Sequence, residues 1–197
     1  MRYKIIFFIP LFAGVLFASC SLWKTREAEN PITDNQTNES ATSADQVIAN
    51  LISSLQQKNI HEYEKVFSDT ITHTQTYTFI PTQSSAVRYL AVFSSWNKTS
   101  EADCFRNIVS AIGSSSIQVS ITTISAPIRY QSDSALFRVR YSLVVPHQRT
   151  DFTTQITGES DLYLSPNKNN IWMIYRWVDY ETKKDSSWSE LKGQFSR

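Results

Sequence analysis

From Ser116 to about Thr182 the chain reads as strand after strand, and that limits it to a fold built on an antiparallel sheet. The runs "SALFRVRYSLVV" and "FTTQITGESDLYL" flank a short connection, Pro146 to Asp151, and predict a hairpin. Pairing about that connection sets Val145 near Phe152, Leu143 near Thr154, Tyr141 near Ile156 and Val139 near Gly158, which makes one face apolar. The other face then holds Arg138 across from Glu159 and Arg140 across from Thr157, read as solvated cross-strand pairs. The closing run "IWMIYRWVDYET" is bulky on both sides, as a strand covered on both faces would be. In "SIQVSITTISAPI" the apolar phase switches at Thr122 and Thr123 with no turn residue, which predicts a β-bulge and a bent sheet. The segment "SSWSELKGQF" adds a short helix, expected to dock through Trp188 and Leu191 on the sheet's outer side.

Upstream of the strands the pattern is helical. Ser43 with Gln46 forms a capping box before Val47, Ile48, Leu51, Ile52 and Leu55, and Asn59 with Glu62 repeats it before Ile60, Tyr63, Val66 and Phe67. "ITHTQTYTFI" alternates and predicts a strand over 71–80, with His73, Tyr77 and Phe79 on one side and Pro81 as its stop. "SSAVRYLAVFSSW" and "EADCFRNIVSAIG" read as further helices, the second stopped by Gly113.

This order gives an α+β domain whose N-terminal helices pack on a strongly curved antiparallel sheet of four to five strands. The helix pair 44–67, the hairpin 135–164 and the closing "NNIWMIYRWVDY" resemble the nuclear transport factor 2-like superfamily. The resemblance implies a cystatin-like cone around an apolar pocket, a fold that hosts enzymes, binding modules and scaffolds alike.

The first residues carry an address rather than fold information. Arg2 and Lys4 precede "IIFFIPLFAGVLFA", then Ser19 and Cys20, the positive, apolar, small order of a signal peptide that is too short for a comfortable membrane span. "LFASC" resembles the lipobox of bacterial lipoproteins, which implies cleavage before Cys20 and diacylglyceryl and acyl chains on it. Such chains would hold the protein on a membrane far more firmly than one marginal chain. The expected organisation is a signal peptide over 1–19, a flexible polar tether over 20–43, and the nuclear transport factor 2-like domain with a C-terminal extension over 44–197. Ser21 follows the cysteine where inner-membrane retention would favour aspartate. The expected place is therefore the cell envelope: the outer membrane, facing the periplasm or the cell surface, if the organism is didermic.

With Cys20 acylated, Cys104 is the one remaining thiol, read as a buried small residue. A formal net charge of +1 shows no footprint for nucleic acid, and four glycines leave no phosphate-binding loop. His61, His73 and His147 stand at no recognised metal spacing; His61 and His147 are read as facing water, so neither a metal nor a cofactor is expected.

Within the resembling superfamily an enzyme would need a carboxylate or imidazole aimed into the apolar interior. Arg138, Arg140, Glu159 and Asp161 fall on the hairpin's polar face, and Asp179 is placed near the solvent end of the last strand. His73, Tyr77, Tyr141 and Asp179 are the candidate pocket-lining residues, and none is assigned a catalytic role. The reading is a membrane-anchored, nonenzymatic envelope module that binds a small apolar ligand or a partner protein, with a homodimer through the outer sheet face as a further candidate. The alternative is a small-molecule isomerase, cyclase or hydrolase using His73 or Asp179 as base and Tyr77 or Tyr141 as donor.

Overall fold

The computed structural model describes residues 38–130 and 133–196. The expected signal peptide, Cys20 and the expected tether as far as residue 37 lie outside the described residues. Local side-chain chemistry starts the helices where the sequence pattern places them. Ser43 accepts the Gln46 N–H at the head of α1 (Ala44–Gln57), and Gln46 Oε1 in turn takes the N–H of Thr42 at 3.0 Å. Asn59 caps α2 (Ile60–Lys65) by accepting the Glu62 N–H.

The strand expected over 71–80 is shortened to β1 (Thr78–Ile80). Asp69 takes the N–H groups of Ile71 and Thr72 at 2.8 and 2.7 Å, together with the Thr72 hydroxyl, and so folds this stretch into a turn. Three helices follow: α3 (Gln83–Arg88), α4 (Leu90–Phe93) and α5 (Lys98–Ile112). Asn97 caps α5, which begins at Lys98, three residues before the expected start, and Gly113 stops it with φ of 56°.

The remaining strands are β2 (Gln118–Thr123), β3 (Ile128–Tyr130), β4 (Ser134–Val144), β5 (Gln155–Pro166) and β6 (Trp172–Glu181), followed by helix α6 (Trp188–Phe195). They form one six-stranded sheet in the order β1-β6-β5-β4-β2, with β3 also on β4. The sheet is mixed rather than wholly antiparallel, because β1 runs parallel to β6. Its bends sit where strand phase fails. The β4 partners shift between Thr123 opposite Val139 and Ile128 opposite Leu136, next to the phase switch read at Thr122 and Thr123. A second irregularity falls at Tyr163/Leu164.

The β4–β5 hairpin keeps its expected faces but moves its register by two residues: Tyr141 lies opposite Gly158, and Leu143 opposite Ile156. The connection is longer than read because it packs on itself. His147, expected in water, is buried at 6% exposure and stacks on Phe152 at 5.4 Å. Its Nδ1 accepts the Arg149 N–H while its Nε2 meets the Thr153 carbonyl. The shift improves the outer face, since Arg138 now forks onto Asp161 at 2.8 and 3.1 Å and Arg140 onto Glu159.

Helices α1, α2 and α5 cover the inner face through Val47, Leu51, Leu55, Tyr63, Phe105 and Ile108, against Val139, Leu143, Ile156 and Leu162 of the sheet. The last helix corrects an expectation. α6 is not on the sheet's outer side: it is packed inside, between α5 and the inner face, with each of its residues buried. No helix among the described residues is long and apolar enough to cross a membrane.

Candidate functional site

The interior of the cone, where a ligand pocket was expected, is organised around two buried carboxylates, and α6 engages both. Its sequence, "WSELKGQF", is half polar, so burial requires a partner for nearly every group. The sheet and the helix's own cap supply them at the N-terminal end. The Trp188 N–H donates to Tyr141 Oη at 2.8 Å, the Ser189 N–H to Asp179 Oδ2 at 2.7 Å, and the Glu190 N–H to the capping Ser187 Oγ at 3.2 Å. These are first-turn donors that a helix leaves without internal partners, and a carboxylate there also meets the positive end of the helix dipole. Asp179 further accepts the hydroxyls of Tyr141 at 2.7 Å, Ser189 at 2.5 Å and Ser160 at 3.3 Å, while Ser160 Oγ receives the Trp177 indole N–H. Burial raises the Asp179 carboxyl above its ordinary value, against the lowering effect of the Ser189 and Tyr141 hydrogen bonds.

The second centre is Glu101, on the buried stripe of α5 with Cys104, Phe105, Ile108 and Ile112. Its Oε1 accepts the Tyr63 hydroxyl at 2.6 Å, and its Oε2 accepts Tyr77, the Trp96 indole and the Lys192 ammonium, each at 2.8 Å. Both ends of the ion pair are 1% exposed. Lys192 Nζ also lies 3.5 Å from the Phe79 ring centroid and 4.4 Å from that of Trp177, so aromatic faces replace the water it has lost. Burial lowers the Lys192 ammonium below its ordinary value, opposed by Glu101, and raises the Tyr63 and Tyr77 phenols well above theirs. A third acid, Glu190, meets Tyr89, Ser85 and Arg88 at the rim.

The rest of the helix is tied down as well. Asn107 donates to the Phe195 carbonyl and Arg149 to that of Gln194, at 2.8 and 2.7 Å. The cavity left between α5, α6 and the sheet, lined by Tyr63, Glu101, Cys104, Leu143, Trp188 and Lys192, measures about 10 Å³. That is room for one water at most. The Cys104 thiol beside it is pushed up to about 12 by burial.

The candidate residues therefore separate. Tyr77 belongs to the Glu101 centre and Tyr141 and Asp179 to the other, with Asp179 2% exposed rather than near solvent. His73 joins neither: its Nδ1 accepts the Gln75 N–H, its Nε2 meets the carbonyl and hydroxyl oxygens of Ser165, and its ring stacks on Tyr175. His61 is exposed, as expected. Glu101 and Lys192 were missed, although a signal exists for each. Glu101 shares its helical stripe with Cys104, Phe105 and Ile108, and Lys192 shares one with Trp188, Leu191 and Phe195. Among the described residues no group of three or more His, Cys, Asp or Glu is placed to hold a metal ion.

Outside the cone a cleft of about 290 Å³ opens where the described chain begins. Ala41, Val47, Val66, Trp172 and Met173 line its floor, with Glu39, Asn50, Glu62 and Lys65 around it. Lys65 Nζ and Glu62 Oε1 pair there at 2.8 Å.

No family model and no curated protein matches the chain. Among solved structures, a conserved protein from Planctomyces limnophilus superposes with a TM-score of 0.51 at 10% identity, covering 67% of this chain and 88% of that one. The likeness is one of fold. A ketosteroid isomerase-like protein from Erwinia carotovora atroseptica gives a TM-score of 0.49 at 10% identity, over 75% of this chain and 99% of its own. A domain of unknown function with a cystatin-like fold from Nostoc punctiforme gives 0.49 at 13% identity, over 77% and 81%.

Proposed function

We propose that this protein is a nonenzymatic binding module of the cell envelope, held at a membrane through acylated Cys20, and that it takes its ligand on the outside of the cone. The observation that carries this reading is α6, which fills the interior and leaves about 10 Å³. Catalysis at Asp179 or Tyr141 would need a substrate atom within hydrogen-bond reach. Their polar atoms are already committed to Ser189 and Trp188. The external cleft, about 290 Å³ with an apolar floor and a polar rim, is of a size for a small apolar ligand or one bulky side chain of a partner protein.

Two experiments test the two halves of the reading. Metabolic labelling with a fatty-acid analogue should mark the wild-type chain and not Cys20→Ala; equal labelling of both would remove the anchor. For the binding half, the fluorescent apolar probe 1-anilinonaphthalene-8-sulfonate should bind the folded chain, and Trp172→Ser should weaken it by about tenfold or more. Unchanged affinity in a variant that melts like the wild type would move the site elsewhere.

A further inference from the structure

Strand β2 ends the sheet, and β4 is its one partner among the described residues. The Ile124 N–H donates to the Arg138 carbonyl at 2.9 Å, which fixes the hydrogen-bonding phase of the pair. Gln118, Ser120 and Thr122 therefore exchange backbone bonds with β4, while Val119, Ile121 and Thr123 turn theirs to the open edge. Natural sheets guard such an edge with charge, proline or shortness. The opposite edge of this sheet does so: β1 has three residues and stops at Pro81. β2 has none of these guards. It is six residues long, and the whole stretch 114–126 contains no Asp, Glu, Lys, Arg, Pro or Gly. Beside it Ile124 and Ile128 are exposed by 40% and 50%.

We infer that two copies of this chain join edge to edge along β2, antiparallel about a two-fold axis through Ile121. The outward backbone groups are centred on that residue. A two-fold axis there sets Val119 opposite the partner's Thr123, Ile121 opposite the partner's Ile121 and Thr123 opposite the partner's Val119, every pair with both N–H and C=O aimed across the seam. Ser120 then faces the partner's Thr122 on the outer side, a favourable hydroxyl pair. A symmetric dimer sets each charge near its own copy, and this seam carries no charge to repel. The outer sheet face offers a second copy less. Its Arg138, Arg140, Asp161 and Glu159 already pair within the chain, Tyr180 donates to Asp161, and Arg176 covers the Tyr163 ring.

Sedimentation equilibrium of the full chain in density-matched detergent reads the assembly. The wild type should be a dimer. Ile121→Pro deletes a donor that faces only the seam and spares the bonds to β4, so it should raise the dimer dissociation constant by about tenfold or more. Ser120→Lys with Thr122→Lys puts like charges across the same seam from exposed positions, and it decides the matter if the proline variant does not fold. Tyr163→Glu, in the middle of the outer face, should leave the dimer intact. A monomeric wild type overturns the inference, as does a dimer that survives the edge variants or is lost only on Tyr163→Glu.

Discussion

Replacing Lys192 with Met keeps the length of the side chain and removes its charge, and the structure sets the size of the effect. Glu101 and Lys192 are each 1% exposed, so the carboxylate left behind cannot recruit water without opening the core. Breaking one side of such a pair costs about 3–5 kcal/mol. Tyr63, Tyr77 and Trp96 still donate to Glu101, which argues for the lower end. Loss of the ammonium from over Phe79 and Trp177 adds up to about 2 kcal/mol, partly recovered by the apolar Met. A net loss of about 3–4 kcal/mol follows, or roughly 6–16 °C in Tm for a domain of this size. Urea unfolding followed by tryptophan fluorescence measures it, with m unchanged. Adding Glu101→Gln to Lys192→Met should cost much less than a second independent loss, because the two side chains act as a unit. A Lys192→Met variant within about 1 kcal/mol of wild type would refute the placement of α6 in the interior.

Further predictions concern single groups. Burial raises the Asp179 carboxyl, so the native state keeps a proton that the unfolded chain releases near pH 3.9 (approximately). The contribution of that group is complete below the unfolded value and is lost as pH rises through the native one. Asp179→Asn cannot lose the proton, so its stability relative to wild type should climb with pH over that interval; a flat difference across pH would contradict the assignment. Cys104, pushed up to about 12 and buried, should resist iodoacetamide in the folded chain at pH 8 (approximately) and react at once in urea, with rapid native labelling as the contrary result. Gly193→Ala should destabilise by about 1–3 kcal/mol, because a Cβ there overlaps the Tyr89 ring, although the same change in an open helix would stabilise. Gly158→Ala should do likewise by displacing Tyr141 from the Trp188 N–H, measured by the same melts.

What could be read in advance was local. Ser43 with Gln46 and Asn59 with Glu62 are caps whose partners lie within four residues, and both helices start there. Strand faces also survived, since parity along β4 and β5 is unchanged by a two-residue slip; the slip came from His147 and Phe152, whose stacking lengthens the connection. Between Asp69 and Thr72 the local signal misled, because alternation promised a strand and a side-chain turn took the backbone first. The site was legible in part. Tyr77 and Tyr141 do face inward, but their hydrogen-bond partners, Glu101, Trp188 and Asp179, lie 24, 47 and 38 residues away in sequence. The stripe of Trp188, Leu191, Lys192 and Phe195 marks one face of "WSELKGQF" for burial, but the partners that let its polar half be buried as well lie far off in sequence.

That centre has a consequence for the order in which the molecule can be made. Glu101 waits for a lysine 91 residues further along the chain. During synthesis, Tyr63, Tyr77, Trp96 and Glu101 are all delivered before the lysine that neutralises the acid. Until Trp188–Phe195 arrives, the half-built core holds an acid and a vacant trough the width of a helix, both open to water. The keystone is thus set last, and a chain interrupted anywhere before it should remain an open, protease-sensitive form rather than a smaller native domain.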